Sequence, residues 1–183
     1  MPIAIVAPLA IFVVLAALFT VLIRRAGRLL RATREADLFR IGLRDLAGRV
    51  DRSLAGVVEL VDAVRRHQRD ASTIADNLAA AIDAMARYGD EAAALGVAAS
   101  GPDRRPDLVQ ELDRAGRALE MIAHGCELMA TASRPNGELE AQTSIKRGYL
   151  NLIHAREAIG RLANEAIALA TPVPRPLFRR GVR

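Results

Sequence analysis

Residues 57–78, Val57 to Leu78, read VVELVDAVRRHQRDASTIADNL, and the fold turns on whether Arg65 to Asp70 is the polar middle of one helix or the bend between two. The stretch belongs to a longer pattern. Positions alternately three and four apart run Leu43, Leu46, Val50, Ser53, Val57, Leu60, Val64, His67, Ala71, Ile74, Leu78, Ala81, Met85, Tyr88, Ala92 and Leu95. All but Ser53 and His67 are apolar or aromatic, the spacing of a coiled-coil or bundle seam. Leu43, Leu46, Val50, Val57, Leu60, Val64, Ile74, Leu78 and Met85 are its strongest members.

Between Gly56 and Gly89 there is neither glycine nor proline, so the ordinary turn signals are missing from the whole stretch. The spacing therefore predicts one continuous stalk from residue 24 to about residue 97, roughly 110 Å long at the helical rise. The alternative is a fold-back near residues 68–72, where the seam is thinnest. That would give a four-helix bundle whose last helix returns to the membrane.

Later boundaries are plainer. Ala98 to Pro106 combines small residues, Gly101, Pro102 and Pro106, and reads as a loop. From Asp107 a helix carries Leu108, Leu112, Ala115, Leu119, Ile122, Cys126 and Met129 on one face, and stops at Ser133 to Gly137. A last helix, Glu138 to Ala170, places Ile145, Tyr149, Leu152, Ile159, Leu162 and Ala166 together before Pro172, Pro174 and Pro176 end it. The expectation is an all-α chain in which this antiparallel hairpin packs on the stalk as a three-helix distal bundle.

Composition agrees. The 183 residues are 51% hydrophobic but only 3% aromatic, without Trp, which suits Ala/Leu-rich helices and excludes a β-rich fold. Cys126 is the one cysteine, so neither an internal disulfide nor a cysteine metal cluster is available. Arginine supplies 25 of the 26 basic side chains, which together with abundant alanine suggests a GC-rich bacterial genome.

Residues 2 to 23 hold no charge, and 22 helical residues rise about 33 Å, enough for a hydrocarbon core of about 30 Å. The run reads as an uncleaved membrane span over residues 1–23, followed by a basic juxtamembrane segment over 24–35. Arg24, Arg25, Arg28, Arg31 and Arg34 all lie downstream of it, which predicts a single-pass protein of the bacterial inner membrane with its N-terminus outside and residues 36–171 as a cytoplasmic stalk and bundle. These arginines are candidates for contact with anionic lipid headgroups. The Pro/Arg-rich tail, 172–183, offers a second candidate contact through Arg175, Leu177, Phe178, Arg179, Arg180 and Arg183.

The net charge of +5 is +4 in residues 24–35 and +4 in residues 172–183, leaving −3 for the body between them. A mildly acidic body without a base-stacking platform argues against nucleic acid as a partner. Catalytic and metal signals are weak too. His67 lacks the His-Glu-x-x-x-Pro context of a phospho-accepting histidine, and reads as a polar seam residue. The His124/Glu127 and His154/Glu157 pairs fall about 10 Å apart along the axis of the expected hairpin, too far to share a two-metal centre.

No catalytic, cofactor-binding or metal residue is assigned, and no cofactor or small-molecule substrate is inferred. Thr143 to Leu152 stands out for Lys146, the single lysine, and Tyr149, and is a candidate partner-contact patch. The sequence thus points to a membrane-anchored helical scaffold, tether or assembly factor, working through protein–protein contacts at the cytoplasmic membrane face. Its partner would be a second copy, joined through residues 43–64, or another helical protein. A signalling relay served by a partner sensor and a helical-bundle metal protein or enzyme are the alternatives.

Overall fold

The computed structural model describes residues 3–96, 103–131 and 135–170, with side chains throughout except at 3–14, 28, 29, 32, 135 and 136. Four helices account for nearly all of it: α1 (Ile3–Arg65), α2 (Ala75–Ala94), α3 (Arg105–Thr131) and α4 (Pro135–Leu169), with a 3-10 turn at Ala71–Ile74 before α2. Among the described residues there is no strand.

The continuous stalk is corrected: α1 stops at Arg65 and the chain folds back, as in the four-helix alternative. The stop is a Schellman motif. The His67 amide donates to the Val64 carbonyl at 3.0 Å and the Gln68 amide to the Ala63 carbonyl at 2.9 Å, which satisfies two carbonyls that the helix end would otherwise orphan. The motif needs a left-handed residue, and His67 takes that conformation with φ of 56°. Asp70 then starts the 3-10 turn, its carbonyl accepting the Thr73 amide at 3.1 Å and the Thr73 hydroxyl at 2.7 Å.

Contacts across the helices define an up-down-up-down bundle. Arg49 of α1 grips Glu91 of α2, Asp51 of α1 accepts from Arg156 of α4 at 2.7 Å, and Arg65 stacks over Tyr149. Positions 51 and 156, then 65 and 149, run in opposite directions, so α1 and α4 are antiparallel, and α4 ends toward the level of Ala36 and Phe39. The core is one cluster that includes Leu43, Leu46, Leu54, Val61, Ile74, Leu78, Met85, Leu112, Leu119, Ile122, Ile145 and Leu152. No buried residue is charged or polar among the described residues.

Of the expected seam, Leu43, Leu46, Val50, Val57, Val64, Ile74, Leu78 and Met85 are buried, while Leu60 is half-buried. The inward positions of α1 run 43, 46, 50, 54, 57, 61, 64, so one step of four replaces a three after Val50. Leu54 and Val61 take the places expected for Ser53 and Leu60. Because this face is covered by the chain's own α2 and α4, the reason for self-association through residues 43–64 disappears.

Helices α3 and α4 approach each other through two glycines. A Cβ on Gly148 would lie 2.7 Å from Ile122 Cγ1 and 2.8 Å from the Ala118 carbonyl oxygen, and one on Gly125 would lie 2.7 Å from Ile145 Cγ1 and 3.0 Å from the Ala141 oxygen. The same pattern, Ala-x3-Ile-x2-Gly, occurs at 118–125 and at 141–148, so each helix presents to the other the groove it fills. Ser144 crosses the contact and donates to the Met121 carbonyl at 3.0 Å.

The single-pass placement in a bacterial inner membrane, with the body in the cytoplasm, is also corrected. Among the described residues no helix is long and apolar enough to cross a membrane. Residues 1–2 and the side chains of 3–14 lie outside the described part of the expected span. Leu15 to Ile23, the apolar run with described side chains, is about 14 Å of helix before Arg24 ends it, about half a hydrocarbon core.

Candidate functional site

Helix α1 is 63 residues long, about 95 Å, and its inward-facing contacts start at Ala36. Every described side chain from Leu15 to Glu35 is exposed, apart from half-buried Gly27. The candidate lipid contacts Arg24, Arg25, Arg31 and Arg34 lie on this protruding arm, as does position 28, whose side chain is outside the description. The tail candidates Arg175, Leu177, Phe178, Arg179, Arg180 and Arg183 lie outside the described residues altogether.

At 100° per residue, Phe19, Ile23, Leu30 and Ile41 point within about 40° of one another, on the side of α1 opposite Leu46 and the bundle. They are 66%, 56%, 70% and 65% exposed. Arg24, Arg25 and Arg31 project at least about 120° round from Phe19, whereas exposed Asp37 lies in line with Phe19 and Arg34 about 60° from it, so the stripe is apolar at Phe19, Ile23, Leu30 and Ile41 and carries charge between Leu30 and Ile41. Between Leu30 and Ile41 the Thr33 hydroxyl donates to the Leu30 carbonyl at 2.9 Å, and Asp37 pairs with Arg40. The stripe was missed in the sequence because its members straddle the boundary between the expected span and the expected stalk.

The fold-back end gathers residues that the sequence singled out separately. His67 at the bend and Lys146 on α4 line one cleft of about 160 Å³, with Arg65 and Gln142 as its other polar members and Val64, Met129 and Ile145 as its apolar ones. The Arg65 guanidinium sits 4.4 Å from the Tyr149 ring centroid and 3.6 Å from Asp62, whose other oxygen takes Arg66 at 2.6 Å. One carboxylate thus serves two guanidiniums. No acidic residue lines the cleft.

At the opposite end, Arg105 joins α2 to α3. Its guanidinium donates to the Leu95 carbonyl at 2.6 Å, capping α2, and to Asp103 at 2.9 and 2.8 Å. Those side-chain bonds, followed by the Arg105 backbone amide, hold the Asp103 carboxyl down at about 2. Nearby, the side-chain hydrogen bond from Arg49 lowers the Glu91 carboxyl. Arg49 also takes Asp45 at 3.0 Å and lies 5.5 Å from the Tyr88 centroid. These are structural clamps on exposed surfaces.

Cys126 is buried on α3, and burial, then the Glu127 charge, pushes its thiol up to about 11. Such a thiol is a packing group and a poor nucleophile at neutral pH. His124 and His154 are both exposed, and no group of three metal-binding side chains occurs among the described residues. No protein-family profile, no curated protein and no solved structure matches the chain.

Proposed function

We propose that the chain is a helical scaffold that acts through protein–protein contact, and that the outward face of α1 joins it to a second copy of itself. The observation that carries this reading is the exposed stripe of Phe19, Ile23, Leu30 and Ile41 on a helix that protrudes from its own bundle. An isolated helix gains most of its stability by burying an apolar face, and no described residue of the bundle covers this one. Two stripes packed together keep Arg24, Arg25 and Arg31 on the outer surfaces of the pair, where their charges stay solvated, and bring Asp37, paired with Arg40, and Arg34 to the contact, where ion pairs across the two copies would answer them. Removing four such side chains from water contributes several kcal/mol per copy, on the usual scale of about 1.5–3 kcal/mol for complete burial of one.

Disulfide trapping tests the pairing. With Cys126→Ala as background, Leu30→Cys forms a covalent dimer under mild oxidation at low micromolar concentration, while Asp83→Cys on the exposed surface of α2 does not. Equal trapping at both positions, or at neither, contradicts the proposed contact.

A further inference from the structure

The cleft at the fold-back end gathers Arg65, His67 and Lys146 with Val64, Met129 and Ile145 in one concavity that no acidic residue lines. Several basic side chains are answered on their own helix, Arg49 by Asp45, Arg65 and Arg66 by Asp62 and Arg114 by Glu111, at spacings of three or four. Lys146 has Gln142 at that spacing, and the Gln142 amide donates away from it to Glu138 at 3.3 Å. Neither Lys146 nor His67 makes an ion pair or hydrogen bond through its side chain with any described residue. Both line the same cleft beside Arg65, whose guanidinium is held against Tyr149.

The backbone adds a second observation. His67 occupies a left-handed position, φ 56°, that glycine fills at less cost in most Schellman motifs. Histidine is one of the side-chain-bearing residues enriched in this region, and here its side chain lines the cleft. The lining is also two-natured. Arg65, His67 and Lys146 supply donors, whereas Val64, Met129 and Ile145 supply apolar surface. A cleft of about 160 Å³ matches the volume of a benzene-sized group.

We propose that this cleft binds a small carboxylate carried on a compact apolar body, with Lys146 and Arg65 holding the carboxylate and Val64, Met129 and Ile145 holding the body. The ligand is either a free acid of this kind or the C-terminal residue of a peptide that ends in an apolar side chain. This site is separate from the α1 stripe and stands or falls without it.

The test uses the full-length chain with labelled Met and Ile methyl groups, titrated with benzoate, benzamide, inorganic phosphate and acetyl-Ala-Leu. Benzoate shifts Met129 and Ile145 saturably, and Lys146→Met weakens its binding about tenfold, the loss expected for one charge-assisted hydrogen bond. Arg87→Met, on the α2 surface, leaves binding unchanged. Tighter binding of acetyl-Ala-Leu than of benzoate assigns the carboxylate to a peptide C-terminus, and weaker binding assigns it to a free acid. Lys146 is exposed, and an unchanged melting temperature shows that its variant is folded. Absence of saturable shifts, equal binding of benzamide or phosphate, or equal weakening by Arg87→Met overturns the proposal.

Discussion

Gly148 lies so close to Ile122 that a single added carbon would sit 2.7 Å from its Cγ1, and Gly125 stands in the same relation to Ile145. The contact behind these carbons is backbone as well as side chain, so neither helix can yield locally. Gly148→Ala and Gly125→Ala should each destabilise the bundle by about 1–3 kcal/mol through overpacking. Gly56→Ala on α1, where the new carbon meets nothing within 4 Å, should instead stabilise it by about 0.5–1 kcal/mol. Urea unfolding of the three variants checks both signs.

His67→Gly removes the penalty of a left-handed side-chain-bearing residue while leaving both Schellman hydrogen bonds in place. The expected gain is about 1 kcal/mol, net of the greater freedom glycine has in the unfolded chain. Thermal unfolding at matched concentration measures it. A destabilised variant would show that the His67 side chain contributes more through its contacts than its backbone conformation costs.

Why the bend was hidden in the sequence follows from the same residue. A helix end of this type is ordinarily marked by glycine, and here the position is a histidine inside a stretch free of glycine and proline. The apolar spacing gave no warning because Val64, Ala71 and Ile74 keep a three-four rhythm across the turn by coincidence. By contrast, the inward faces of α3 and α4 were legible, since Leu108, Leu112, Leu119, Ile122, Ile145, Leu152 and Ile159 all face the core. The cationic cleft was only half legible: His67 and the Lys146–Tyr149 segment both stood out, but their meeting depends on the fold-back.

Asp103 links stability to acid. Its carboxyl is held at about 2 against an ordinary 3.8 by the Arg105 side chain and amide, so the folded state favours the ionised form. The stabilisation is complete above pH 4 and is lost as pH falls toward 2. Asp103→Asn should therefore be less stable than the parent at pH 6 and converge on it below pH 2. Chemical denaturation across that range reads the convergence.

Cys126 should report opening of the bundle. Its buried thiol, raised to about 11, should react with a thiol reagent at pH 8 far more slowly than the same residue in denaturant. Because Gly125 sits beside it at the α3–α4 contact, Gly148→Ala should speed that labelling in proportion to the stability it loses. Labelling rates followed against urea concentration test the link.

The most direct measurement is sedimentation equilibrium of the full-length chain across the micromolar range, beside the double variant Leu30→Glu, Ile41→Glu. Both substitutions replace exposed side chains on the stripe, so the bundle itself should keep its helical content. The expected result is a concentration-dependent dimer for the parent and a monomer for the variant. A parent that stays monomeric, or a variant that associates as tightly as the parent, contradicts assembly through the outward face of α1.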